Sequence, residues 1–149
     1  MIKPVPKPVR KVRDKSLKRK VCIESLPEES DEQTTVADWL DAHKVFYTAT
    51  MAGCYLHPAT FNRMKRMGLK QGVSDLLIFT KPPAYFISEK GYAFIGVCLE
   101  MKRKKGGVLS EKQREWLNRM SMLGWLSHVA NGADEAISFL ETCGYGGKK

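Results

Sequence analysis

Asp75, Glu100 and Lys102 are ionisable residues in apolar surroundings: Gly72-Val73-Ser74-Asp75-Leu76-Leu77-Ile78-Phe79 and Val97-Cys98-Leu99-Glu100-Met101-Lys102 both read as strands carrying charge. A buried strand tolerates an isolated charge only where a counter-charge, a metal or a substrate offsets its desolvation. Side chains alternate along a strand, so Ile95, Val97, Leu99 and Met101 are expected on one face and Cys98, Glu100 and Lys102 on the other. Two carboxylates on neighbouring strands, with a lysine beside them, can bind a divalent cation next to a phosphate. Phosphodiester hydrolysis needs a positioned water, neutralised phosphoryl oxygens and a stabilised departing oxygen, and a hard cation assists all three. Magnesium keeps several waters, so Asp75 and Glu100 suffice as protein ligands, with the Met101 carbonyl as a possible third oxygen. Lys102 would hold or deprotonate the attacking water; acting as a base demands a lowered pKa, whereas orienting the water does not.

Glu-x-Lys alone is weak evidence, because ordinary composition also produces it as a surface ion pair. The conjunction decides for catalysis: an apolar strand carries each motif, an aspartate opens the first, and the basic loop Arg103-Lys104-Lys105-Gly106-Gly107 follows the lysine directly. Gln113 has two compatible readings. It completes a capping box in Ser110-Glu111-Lys112-Gln113, and it shares the inward side of its helix with Trp116 and Leu117, from which it could reach the active centre. Glu29 and Glu32 both share the Val36 and Leu40 side of the first helix, so either could aim a carboxylate at the sheet, and favourable placement near the helix dipole is the bland account of both. Arg63, Lys65, Arg66 and Lys70, with Arg103, Lys104 and Lys105, flank the acidic motifs and are candidate phosphate contacts, which position DNA without reading bases. His57, before Pro58, is expected to cap or pack.

The elements that must hold these residues follow from periodicity and breakers. Val36, Trp39 and Leu40 predict a helix from Asp31 to Ala42. Val45 to Met51 alternates as a strand, which Gly53 breaks. Pro58 starts a short helix through Phe61, Met64 and Met67, and Gly68 ends it. The strand after Gly72 is interrupted at Lys81-Pro82-Pro83, with room for a short extra strand between Ala84 and Ser88. Tyr92 to Met101 is the next strand; Trp116, Leu117, Met120 and Leu123 mark a helix that Gly124 stops. Trp125 to Ala130 is the last strand and Ala133 to Cys143 the last helix. Helix, strand, helix, strand, strand, helix, strand, helix implies an α/β sandwich on a mixed sheet.

The 149 residues are enough for one domain with a substantial core. No apolar run approaches the roughly 20 residues of a membrane span, and no signal peptide is legible, so a soluble intracellular protein is expected. Cys22, Cys54, Cys98 and Cys143 form no Cys-x-x-Cys pair, and the three histidines have no ligand spacing, so reduced structural thiols are expected rather than zinc. The net charge of +9 is uneven: nine basic residues against Asp14 give residues 1–20 a charge of +8, leaving +1 for residues 21–149. With Pro4, Pro6 and Pro8, residues 1–20 read as an extended basic arm suited to polyanions, or only to solubility, before a single domain over 21–149.

At these residues the chain resembles the virus-type replication-repair nuclease (VRR-NUC) family, a branch of the PD-(D/E)xK nucleases. The resemblance spans about Glu29 to Leu140. It rests on Glu29-Ser30-Asp31-Glu32-Gln33 before Trp39-Leu40, Met67 through Leu76, Leu99-Glu100-Met101-Lys102, and Gly107 through Gln113; Gly124 and Asp134-Glu135-Ala136 also fit. It implies a restriction-endonuclease-like α/β core with a mixed central sheet flanked by helices, and a magnesium- or manganese-dependent endonuclease. It also implies Asp75 and Glu100 as metal ligands, Lys102 as the catalytic lysine, Gln113 as the glutamine of the following helix and Glu29 as the first-helix acid. Ser74 stands where the family often has proline, a position that supplies no ligand. Stand-alone members of this size resemble homodimers acting on branched DNA, including four-way junctions. The competing functions are a nickase or restriction-like nuclease on linear duplex, and a DNA-binding module without catalysis.

Overall fold

The computed structural model describes residues 28–51, 54, 56–83 and 91–147. The basic arm, Cys22, Gly53 and the extra strand expected between Ala84 and Ser88 lie outside them. Elements follow the expected order: α1 (Glu29–Ala42), β1 (Tyr47–Ala49), α2 (Pro58–Arg66), β2 (Leu76–Ile78), β3 (Val97–Lys102), α3 (Glu111–Met122), β4 (Leu126–Asn131) and α4 (Ala133–Thr142). The sheet has the order β1-β2-β3-β4, antiparallel at its first two pairings and parallel between β3 and β4. The parallel crossover is made by α3, as such a connection requires.

Strand faces sort the core from the chemistry. Val97, Leu99 and Met101 join Val36 and Leu40 of α1 and Ala136 and Leu140 of α4 in one cluster, each fully buried. Cys98, Glu100 and Lys102 occupy the opposite face, where α3 presents Gln113, whose amide meets the Glu100 carboxylate, and where the Ser127 hydroxyl of β4 donates to the Leu117 carbonyl of α3 at 2.9 Å. Burial of β3 on both faces explains its nearly continuous apolar sequence.

Several boundaries differ from the sequence reading, each for a local reason. α1 starts at Glu29 rather than Asp31, because Glu28 is its cap and its backbone N–H donates to Asp31 Oδ2 at 3.3 Å. β1 is three residues rather than seven: the Val45 N–H returns to the Leu40 carbonyl at the end of α1, and the Phe46 N–H is taken by the Thr80 hydroxyl at 2.7 Å. β3 starts at Val97 rather than Tyr92, and Ile95, expected inward, is 45% exposed. Just before it, Gly96 lies so close to its neighbours that a β-carbon would sit 2.6 Å from the Ile78 carbonyl oxygen and 2.7 Å from the Trp125 ring. Trp125 therefore packs beside the sheet, and β4 begins at Leu126. His57 caps α2 as expected, its Nδ1 accepting from the Ala59 N–H at 3.3 Å.

His128 projects from β4 onto the Phe139 ring of α4, stacked at 3.7 Å between centroids and 3° between planes. Its Nε2 is buried without a hydrogen-bond partner, and burial lowers its pKa below the ordinary imidazole value, with Glu135 opposing weakly. A depressed folded-state pKa contributes stability above the unfolded value, and that stability is lost as pH falls through the folded one. Relative to His128→Phe, the wild type should therefore lose stability as pH drops below about 6.5. Urea unfolding at a series of pH values checks this, and a constant difference between the two proteins refutes it.

Candidate active site

Antiparallel pairing of Leu76 with Leu99 places Asp75, immediately before β2, against the far half of β3. Asp75 Oδ2 there accepts the Met101 N–H at 2.8 Å. Glu100 and Lys102, two residues apart on one face, meet directly: Lys102 Nζ donates to Glu100 Oε1 at 2.6 Å and to the Met101 carbonyl at 2.7 Å. Asp75 and Lys102 are each 5% exposed and Glu100 is fully buried.

Such burial is costly. Breaking a buried ion pair by removing one partner costs about 3–5 kcal/mol, and even an intact pair often gains nothing over an apolar isostere. One oxygen, Glu100 Oε2, is buried with no hydrogen-bond partner among the described residues. Burial raises the Glu100 pKa to about 7 against the opposing Lys102 hydrogen bond, with Asp75 repulsion adding to the rise. Asp75 is raised as well, first by burial, with the Met101 N–H and Lys102 opposing and Glu29 adding. Both shifts have the same first cause: burial disfavours the charged carboxylate. The donors of the centre, two carboxylates and a carbonyl, are hard oxygens that a magnesium-sized cation accepts while keeping its own waters. No three His, Cys, Asp or Glu side chains gather as a candidate metal site among the described residues, and a cation of this kind does not need a third.

Gln113 performs both tasks considered for it. Its Oε1 accepts the Ser110 N–H at 2.9 Å, completing the capping box of α3 with Ser110 Oγ on the Gln113 N–H at 3.3 Å. Because the backbone donor fixes which end of the amide faces the cap, Nε2 is turned to Glu100 Oε1 and bonds it. The helix terminus and the carboxylate are thus fixed by one side chain. The loop before Asp75 rests on this same helix start: at Gly72 (φ +79°) a β-carbon would lie 2.5 Å from the Lys112 carbonyl. Only a glycine satisfies both the left-handed backbone and that approach.

The two first-helix acids separate. Glu29 faces Lys102, with Oε1 3.9 Å from Nζ and a side chain 38% exposed. Glu32 is 7% exposed, and its Oε2 accepts the Ala133 N–H at 2.7 Å, capping α4 from a distant part of the chain. The two residues are one turn apart, so the cap that ties α1 to α4 also brings Glu29 to the centre. A partly exposed contact at 3.9 Å is worth under about 1 kcal/mol, so Glu29 adds little to stability.

The basic candidates all lie on exposed surface. Arg63, Lys65 and Arg66 occupy the last turn of α2, Lys65 Nζ lying 5.5 Å over the Phe61 ring. Lys70 follows in the next loop, and Arg103 and Lys105 in the turn after β3. Lys104 differs in that it bonds Asp134 Oδ2 at 2.6 Å. Sequence reasoning missed Lys112, whose Nζ bonds Gln71 Oε1, and Arg119, paired with Glu115 at 2.6 Å. A lysine in the first turn of a helix opposes the dipole, and that misfit was the available signal for Lys112.

A mixed four-stranded sheet flanked by helices makes this a restriction-endonuclease-like α/β domain. The family model for the VRR-NUC domain matches residues 14–134, and the chain belongs to that family. A solved structure of a VRR_NUC domain protein aligns with a TM-score of 0.60 at 24% identity, over 76% of this chain and 85% of that one, which speaks for the fold. None of the curated proteins matches the chain. Among the described residues no helix is long and apolar enough to cross a membrane.

The separation of the two acids is measurable. Glu32→Ala should lower the unfolding free energy by about 1.5–3 kcal/mol through its lost charge-assisted hydrogen bond. Glu29→Ala should change it by less than about 1 kcal/mol. Urea denaturation in chelator compares them, and equal losses would show that the two carboxylates do the same work.

Proposed function

We propose that this protein is a divalent-metal-dependent endodeoxyribonuclease of the junction-resolving kind, cutting the phosphodiester backbone of branched DNA. The carrying observation is the Glu100 carboxylate, buried with one oxygen unpartnered beside Asp75, the Met101 carbonyl and Lys102. A protein does not retain so costly an arrangement for stability when an apolar isostere would serve.

Asp75, Glu100 and the Met101 carbonyl would hold the cation, magnesium or manganese. When bound, it supplies Lewis acidity that neutralises the phosphoryl oxygens and makes water a usable nucleophile. Lys102 has three N–H donors, two of them on Glu100 and Met101; the third, on the side of Glu29, is available to orient the attacking water. The 3.9 Å gap between Glu29 and Lys102 exceeds a hydrogen bond and is wide enough for a bridging water. Gln113 holds Glu100 in place from α3. The water oxygen forms its bond to phosphorus and gives up a proton to solvent, the bond from phosphorus to the departing sugar oxygen breaks, and that oxygen takes a proton from solvent. Arg63, Lys65, Arg66, Lys70, Arg103 and Lys105 supply phosphate contacts around the centre; Lys104 joins them by exchanging Asp134, in an exposed pair worth little by itself. A homodimer would set two such centres on opposed strands of a four-way junction.

Labelled branched DNA should be cut with magnesium or manganese and left intact in chelator. Glu100→Gln and Lys102→Ala should lower cleavage at least about a hundred-fold. DNA binding by both variants, measured in chelator, should be largely retained. Cleavage that survives chelation or either substitution rejects this centre as the source of the cutting, and binding with no cleavage under any of these conditions leaves a DNA-binding module. A four-way junction should also be cut faster than linear duplex of matched sequence; equal rates would keep the nuclease and reject the junction preference.

A further inference from the structure

Beside the acidic centre, between α2, the loop at Leu69 to Val73 and the start of α3, lies a cleft of about 420 Å³. Phe61, Leu69 and Val73 give it apolar lining, and Lys70, Lys112 and Gln113 give it polar lining. We infer that this cleft receives an unpaired nucleotide of the DNA, next to the phosphate being cut. The inference rests on the nuclease reading above and narrows its substrate to DNA with a nucleotide out of its stack.

Size, chemistry and position agree on that occupant. Small-ligand sites run from about 300 to 1,000 Å³, so the cleft admits one nucleotide and excludes a duplex. A nucleobase presents a flat apolar face, which a half-exposed aromatic ring such as Phe61 can stack upon whatever the base. The attached phosphate is an anion, and the cleft offers Lys70 and Lys112. Lys112 is held in place by its bond to Gln71, and a fixed cation loses less freedom on binding than a loose one. Continuity with the centre comes through Gln113, which lines the cleft and bonds Glu100. A second cleft of about 450 Å³ shares Lys70 and Lys112 with it and adds Lys65, with Arg119 paired to Glu115, so that lysines extend along the surface on that side.

A base inside a stacked pair cannot show its face to Phe61. The cost of extracting it is lowest where pairing or stacking is already broken. The cleft therefore makes distorted DNA the better ligand without reading sequence.

The test compares a duplex carrying one bulged nucleotide with its fully paired counterpart. Affinity is measured by fluorescence anisotropy in chelator at fixed salt, and cleavage separately with magnesium. Wild type should bind the bulged duplex about ten-fold tighter than the paired one. Phe61→Ala should lose that preference while binding paired DNA as wild type does, and Phe61→Tyr, which keeps the stacking face, should restore it; circular dichroism confirms that both variants fold. Equal affinity of wild type for the two duplexes, or a preference that survives Phe61→Ala, overturns the inference. Because affinity is read without metal, the two claims fail separately: a preference without cleavage supports the cleft against the nuclease reading, and cleavage without a preference rejects the cleft alone.

Discussion

Everything in this domain is arranged around the burial of Glu100. A carboxylate in the middle of a strand covered on both faces is stabilised only by what stands next to it, and here that is one ammonium and one amide, with an oxygen left over. Asp75 and the Met101 carbonyl lie beside it, each held by a hydrogen bond of its own.

Three separate stretches of chain close on β3 to make that neighbourhood, and each is anchored by a bond with a second purpose. Asp75 reaches the centre by accepting a backbone N–H of β3, so the pairing of two strands also positions an acid. Gln113 holds a helix terminus and the Glu100 carboxylate with opposite ends of one amide. Glu32 caps α4 and thereby fixes α1, which carries Glu29. Gly72 lets the loop before Asp75 rest on the start of α3. The bonds that build the site are also the bonds that join the layers.

The surface around the centre divides by chemistry. Exposed lysines and arginines on α2, on the turn after β3 and along α3 offer attraction to any polyanion, and attraction of that kind carries no preference for one DNA shape over another. Selectivity requires a feature that only some substrates can reach. A partly apolar cleft opening beside the acids, with Lys112 tied to Gln71 on its lining, offers such a feature, because a paired base cannot turn its face into it.

The order of elements, the mixed sheet and the Asp75, Glu100 and Lys102 motif were legible in the sequence because each is local. Alternation along β3 assigned Glu100 and Lys102 to one face, and the structure has them there, 2.6 Å apart. Family membership was legible for the same reason, since short ordered motifs carry it. The strand ends were not. They depend on which carbonyl a given N–H finds, as with Val45 returning to Leu40 and Gly96 pressed beneath Trp125. Helical spacing left Glu29 and Glu32 equivalent, and only the packing of α1 on α4 distinguished an acid that faces the lysine from one that caps a helix a hundred residues away in the chain. The cleft was invisible for a like reason: its two sides come from segments some forty residues apart, and a concave surface exists only once both are in place. Sequence determines what lies within a turn or a strand, where geometry is set by a fixed repeat; long-range contacts determine the rest, because they are chosen by shape and desolvation after the repeats have formed.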